Sequence, residues 1–164
     1  MSKLLKKHIR HLRNDFTAGT LTEMDVHSDP FKQFAKWMHE AVKAEVHEPN
    51  AMTLATASDD GQPDARIVLL RDFHHKGFSF FTNYNSAKGR EMKENEKVCL
   101  NFFWPELQRQ IRILGKVNKL SAKESDDYFK SRPRESQIGA HASFQSAVLT
   151  SREELENRID QLTH

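Results

Sequence analysis

A single cysteine, Cys99, leaves the chain without any disulfide framework. It sits in the apolar run VCLNFFW and reads as a small core residue, not as a nucleophile or a metal ligand. No run approaches the roughly 20 apolar residues of a membrane span. The opening MSKLLKKHIRHLR lacks the continuous apolar segment of a signal peptide, so the expected location is the cytoplasm, with no membrane partner. An excess of one charge is also missing. Lys and Arg number 25 against 23 Asp and Glu, a formal charge of +2, so no global field points to nucleic acid and any basic site must be local. Only six glycines and five prolines are present, which excludes collagen-like and low-complexity chains. G-x-G-x-x-G, G-x-x-x-x-G-K and G-x-S-x-G are all absent, removing the usual support for a Rossmann domain, a P-loop or an α/β-hydrolase. Nine histidines include His74 beside His75 and His8 near His11, but no Cys or carboxylate stands at ligand spacing from them, so no metal is expected.

What is present is an ordinary soluble composition, 37% hydrophobic and 29% charged over 164 residues, enough for one core. Leu5, Ile9, Leu12 and Phe16 recur at helical spacing among Lys6, Lys7, Arg10 and Arg13, predicting an amphipathic first helix with a basic face. Asp29 and Pro30 read as an N-cap and a first-turn proline. They open a helix whose Phe31, Phe34, Trp37, Met38 and Val42 form a core-facing stripe. The period then changes to extended. AMTLATAS, the turn DDGQ and DARIVLLRDF predict a hairpin over 51–73, followed by a turn HHKG and a strand FSFFTN. Ser86 caps a short helix, KVCLNFFW and RQIRILGKVNKL are further strands, and Ser121 with Glu124 forms a capping box. Another helix follows Pro133 and a last one begins at SREELENRI. About five antiparallel strands with helices outside them make an α+β pattern, a small barrel or a strongly bent sheet.

Positive charge and hydroxyls gather at the ends of the apolar strands. Alternation groups Arg66 with Val68 and Leu70, and Arg71 with Ile67 and Leu69, so the two arginines point to opposite faces. Either they serve different parts of a site or they are exposed charges closing a strand. Thr82, Ser86 and Lys88 bring two hydroxyls and a cation to a strand-to-helix turn whose free N–H groups suit an anion. In YFKSRPRESQIG, Tyr128 and Arg132 stand four apart, and Ser136 lies in the first turns of the next helix, another set suited to a phosphate monoester. Two phosphate-type sites point to a phosphorylated cofactor and a phosphorylated substrate.

The motifs ARIVLLRDF, GFSFFTNYNSAKGREM, LQRQIRILGKV and YFKSRPRESQIGAHASFQS, in that order, resemble the pyridoxamine 5′-phosphate oxidase family, over about residues 10–160. The resemblance implies an FMN-binding split β-barrel with surrounding helices. Its organisation would be an N-terminal helix and lid over 1–28 and the FMN-binding domain over 29–164. It implies that Arg66, Ile67, Val68, Leu69, Leu70 and Arg71 line FMN, with Arg66 on its phosphate and Arg71 near both flavin and substrate phosphate. Phe81 and Thr82 would touch the flavin. Lys88, next to Ala87, would hold the phosphate, and Gln110 would meet the ring. Gln145 and Ser146 would reach FMN across a homodimer interface. Tyr128, Arg132 and Ser136 would grip the substrate phosphate, with Arg13 and Phe16 in the lid above it. The implied activity is oxidation of pyridoxamine or pyridoxine 5′-phosphate to pyridoxal 5′-phosphate with oxygen as acceptor, with no protein general base nominated. The rival expectation is a flavin-binding protein or carrier without oxidase activity.

Three departures from the family pattern stand out. Arg71 replaces a usual lysine, exchanging a compact ammonium for a planar fork. Ala87 replaces an arginine, and Phe16 a common tyrosine. The family continues past the last helix into strands carrying a Trp and an R-x-H segment, so the expectation is a truncated sequence, the alternative being a shortened relative of the family.

Overall fold

The computed structural model describes residues 3–13 and 15–163, the side chains of 3–6 excepted. Leu5 and Lys6 of the expected amphipathic stripe therefore lie outside the described side chains. The chain divides into two compact units, one of Met1–His47 with Trp104–Arg109 and one of Glu48–Phe103 with Gln110–His164.

In the first unit, α1 (Lys3–His11) ends earlier than its pattern predicts, the Arg13 N–H turning back to the His11 carbonyl at 2.9 Å. Its apolar residues are not buried: Ile9, Leu12 and Phe16 are all exposed. The second helix, α2 (Pro30–Lys43), is built as its sequence predicts. The Asp29 side chain accepts from the Phe31 N–H at 2.8 Å, and Pro30 occupies the first turn, where its missing N–H costs nothing. Phe34 is buried, but Val42 is exposed and Ala41 takes the buried position beside it. Arg109 bonds Glu40 at 2.8 Å and lies 4.8 Å from the Trp37 ring, joining the two segments of this unit.

The second unit holds the sheet. β1 (Ala51–Ala57) and β2 (Pro63–Leu69) form the predicted hairpin, with Ala51 opposite Leu69 and Ala57 opposite Pro63. In β1, Met52, Leu54 and Thr56 are buried and their neighbours are not, the period-two pattern of a strand with one face in the core. β5 (Lys97–Trp104) pairs antiparallel with β1, and β6 (Arg109–Lys116) lies beyond it, giving the order β2-β1-β5-β6.

The long strand expected over 64–73 is split. β2 stops at Leu69, and the backbone then changes partners: Leu70 N–H bonds the Asn50 carbonyl and Arg71 N–H bonds the Ser79 carbonyl, each at 2.8 Å. β3 (Asp72–His74) and β4 (Gly77–Ser79) form a separate two-stranded sheet. The α+β class holds, with the six strands among the described residues divided between two sheets. Cys99, expected in the core, is only half-buried.

Four helices complete the unit. α3 (Ala87–Glu94) is capped by Ser86, and α4 (Ala122–Ser131) by the predicted Ser121–Glu124 box. α5 (Arg134–Ala142) follows Pro133 and packs against α6 (Arg152–Thr163). Among the described residues no helix is long and apolar enough to cross a membrane.

Candidate functional site

The β1–β2 register brings the site together. Thr56 stands opposite Asp64, and Leu54 opposite Arg66, so one face of the hairpin carries Thr56, Asp64 and Arg66 as close neighbours. Arg66 Nη1 donates to the Thr56 hydroxyl and, at 3.4 Å, to the Leu54 carbonyl. Its Nη2 donates to Asp64 at 2.5 Å and to Glu91 of α3 at 3.0 Å. The Thr56 hydroxyl in turn donates to Glu91 at 2.5 Å. With its side chain only 17% exposed, Arg66 is fixed by a two-carboxylate frame.

The start of α3 supplies the second cation. Ser86 is fully buried and committed to the fold: its hydroxyl donates to the Asn83 carbonyl at 2.6 Å and accepts from the Gly89 N–H at 3.3 Å. Gly89 permits this turn, since a Cβ there would stand 2.2 Å from the Tyr84 carbonyl oxygen. Lys88 is buried, and its Nζ donates to Gln145 Oε1 at 3.0 Å and to Ser86 Oγ at 3.4 Å. Burial, then the neighbouring Arg66 charge, pushes the Lys88 ammonium below its ordinary value of 10.5, while Glu91 and Asp64 oppose that.

Between these groups lies a cavity of about 310 Å3. Of the residues singled out from the sequence, Arg66, Ile67, Ala87, Lys88, Gln145 and Ser146 line it, and Asp64 and Ala65 complete the wall. Ser146 holds a left-handed backbone, φ 66°, uncommon for a residue with a side chain and of the kind found where a surrounding structure imposes it. Within the chain, Gln145 and Ser146 line the same cavity as Arg66 and Lys88. The donor set, a guanidinium, a buried ammonium, an amide and a hydroxyl, fits a phosphate monoester. Among the described residues no group of three metal-ligating side chains occurs.

The remaining candidates lie elsewhere. Leu70 is buried in the core, while Val68 and Leu69 are partly buried opposite Met52 and Ala51. Of the Thr82–Ser86–Lys88 set, Lys88 lines the cavity and Ser86 stands behind it, accepting from the Lys88 Nζ at 3.4 Å. Gln110 on β6 bonds the Asn101 side chain at 2.7 Å. Phe81 stacks on Tyr128, with ring centroids 3.6 Å apart and planes within 5°, and the Arg71 guanidinium is 5.8 Å from the Tyr128 ring. That brings Arg71, Phe81 and Tyr128 together. Arg132 does not join them on a helical face, because α4 ends at Ser131 and Arg132 continues in extended backbone, with its guanidinium 5.7 Å from the Phe129 ring. Ser136 sits in the first turn of α5, and among the described residues no hydrogen bond links it to Tyr128 or Arg132. Arg13 and Phe16 belong to the first unit, where both are exposed.

Residues 38–164 match the pyridoxamine 5′-phosphate oxidase family. The chain belongs to that family. Pyridoxine/pyridoxamine 5′-phosphate oxidases of Trichormus variabilis and Leptospira interrogans are 51% and 53% identical to it over 98% and 95% of its length. The chain spans about three quarters of their length, 75% and 73%. Among solved structures, PhzG from Burkholderia lata in complex with tetrahydrophenazine-1-carboxylic acid matches at TM-score 0.82 and 32% identity, over 87% of this chain and 72% of that one. An FMN-binding, pyridoxamine 5′-phosphate oxidase-related protein of Nostoc punctiforme shares the fold, at TM-score 0.61 and 14% identity, over 80% of this chain and 73% of its own.

Within this family member, sequence reasoning missed three residues that hold Arg66: Thr56, Asp64 and Glu91. Two of them carried a usable signal. Asp64 lies two positions from Arg66 on the same strand face, and the hairpin turn sets Thr56 opposite Asp64. Glu91 had none, since its place depends on how α3 packs on β1.

Proposed function

We propose that this chain is an FMN-dependent oxidase of pyridoxamine 5′-phosphate and pyridoxine 5′-phosphate, yielding pyridoxal 5′-phosphate with oxygen as electron acceptor. The observation that carries the reading is the convergence of Arg66 and Lys88 on one cavity, in a chain about half identical to oxidases of that name. In this reading Arg66, Lys88, Gln145 and Ser146 hold the FMN phosphate. Arg71, Phe81, Thr82 and Gln110 line the flavin, within the split-barrel fold of the family. Tyr128, Arg132 and Ser136 take the substrate phosphate. Bound FMN would supply the two-electron chemistry, and the side chains bind and orient two planar rings. Arg71 beside Tyr128 is suited to sit between the two ligands, because a planar guanidinium can stack on a ring while donating to an anion. A homodimer is part of the reading: Ile67, Phe103 and Leu114 are large apolar side chains left exposed on the strands, a surface suited to a second copy.

A second reading, a flavin-binding protein without this oxidase activity, is favoured by one observation, the placing of the Arg132 guanidinium 5.7 Å from the Phe129 ring at the end of α4. One experiment separates the two. The purified protein is reconstituted with FMN and its visible spectrum recorded without oxygen before and after pyridoxamine 5′-phosphate is added. Bleaching, with colour returning in air, is the expected result. A bound flavin that stays yellow would leave only the second reading.

A further inference from the structure

Arg66 is the one cavity cation whose donors are almost all committed before any ligand arrives. A guanidinium carries five N–H donors, and its four terminal hydrogens face four acceptors here: the Leu54 carbonyl, the Thr56 hydroxyl, Glu91 and Asp64. A phosphate that grips the terminal nitrogens must displace one of them. The four are not equally free to leave. The Leu54 carbonyl is backbone within β1, and Thr56 is buried. Glu91 is 16% exposed and also accepts from Thr56, so its departure would strand the buried Thr56 hydroxyl as well as the half-buried Arg66 donor. Asp64 is 56% exposed, keeps a 2.7 Å bond from the Ala65 N–H that does not depend on Arg66, and forms part of the cavity wall.

We propose that Asp64 is an internal competitor for the cofactor phosphate, holding the Arg66 donor that the phosphate takes and swinging to solvent when FMN seats. The inference rests on reading the cavity as the FMN phosphate site. It explains a charge balance that is otherwise odd for an anion site: the two cations are matched by two carboxylates bonded to one of them. Water can replace Arg66 at an exposed carboxylate, so the exchange costs only what a surface ion pair is worth. Asp64 thereby sets the affinity for the phosphorylated cofactor while leaving the ring's contribution untouched.

The test measures dissociation constants for FMN and for riboflavin, which lacks the phosphate, by quenching of flavin fluorescence. The proteins are the full chain, Asp64→Asn and Glu91→Gln. Asp64→Asn is expected to bind FMN about fivefold more tightly, the ceiling for losing one exposed competing ion pair, with riboflavin unchanged. Glu91→Gln, which loosens the frame, is expected to weaken FMN. Unchanged or weaker FMN binding in Asp64→Asn would overturn the proposal, because Asp64 would then be orienting Arg66, and an equal gain for riboflavin would overturn it too. If the full chain bound FMN no better than riboflavin, the cavity would not be a phosphate site and both readings would fall together.

Discussion

The cavity around Arg66 and Lys88 and the cluster around Tyr128 differ in how their charged groups are held. In the cavity each cation is fixed by hydrogen bonds to buried or half-buried groups, Arg66 by Thr56 and Glu91, and Lys88 by Gln145 and Ser86. In the cluster the contacts are ring contacts, Phe81 on Tyr128, Arg71 near Tyr128 and Arg132 near Phe129. Hydrogen-bonded frames fix direction, whereas stacking leaves a guanidinium free to slide and turn. The difference suits two different tasks. A site for a resident cofactor gains from donors fixed in advance, and a site that admits and releases substrate at every turnover gains from cations that can move.

The sharpest way to break the fixed side is Gly89→Ala. The new Cβ would meet the Tyr84 carbonyl, which is backbone and cannot rotate away, so the first turn of α3 must shift together with Ser86 and Lys88. Overpacking of this kind is expected to cost about 3 kcal/mol of stability, read as a fall in thermal midpoint, and to weaken FMN at temperatures where the chain remains folded. An unchanged midpoint would mean that the turn is not constrained as described. On the mobile side, Arg132→Ala leaves the fold alone, since the guanidinium rests on an aromatic face at a helix end. It is expected to raise KM for pyridoxamine 5′-phosphate about thirtyfold, or about 2 kcal/mol, the worth of a charge-assisted hydrogen bond, with little change in FMN affinity. If KM stayed the same, Arg132 would not belong to the substrate site.

The fixed side was also the more legible in sequence, for a physical reason. Hairpin register, strand parity and helix caps are local, and all three were set by short-range signals: the DDGQ turn, the alternation about Arg66, and Ser86, Ser121 and Asp29 as caps. Partners that depend on packing were not legible. Glu91 reaches Arg66 only because α3 lies along β1, and the strand expected over 64–73 breaks because Arg71 finds the Ser79 carbonyl at a point where no proline or glycine marks a break. Arg132 misled in the same way. Its spacing from Tyr128 is helical, but the proline that follows it forces extended backbone one residue earlier. The first helix shows the limit of periodicity itself, for a four-three-four apolar stripe left Ile9, Leu12 and Phe16 in solvent.

The smallest effect concerns pH, and its sign follows from Lys88. Burial and the nearby Arg66 hold its ammonium below the ordinary lysine value, so as pH rises it loses its proton earlier than an exposed lysine does. A phosphate dianion in the cavity favours the protonated form and raises that value again. Between the two values binding must take up a proton, and FMN affinity therefore falls as pH rises through that window. The phosphate itself does not titrate there, its second ionisation lying near pH 6. As pH is raised from neutrality toward the ordinary lysine value, FMN affinity is expected to decline while riboflavin affinity stays level, which cancels any change in the ring. Lys88→Arg, charged throughout, is expected to remove the slope. A slope shared by riboflavin would place the titrating group outside the phosphate cavity, and a flat FMN profile would mean that Asp64 and Glu91 offset the burial of Lys88 more fully than their positions suggest.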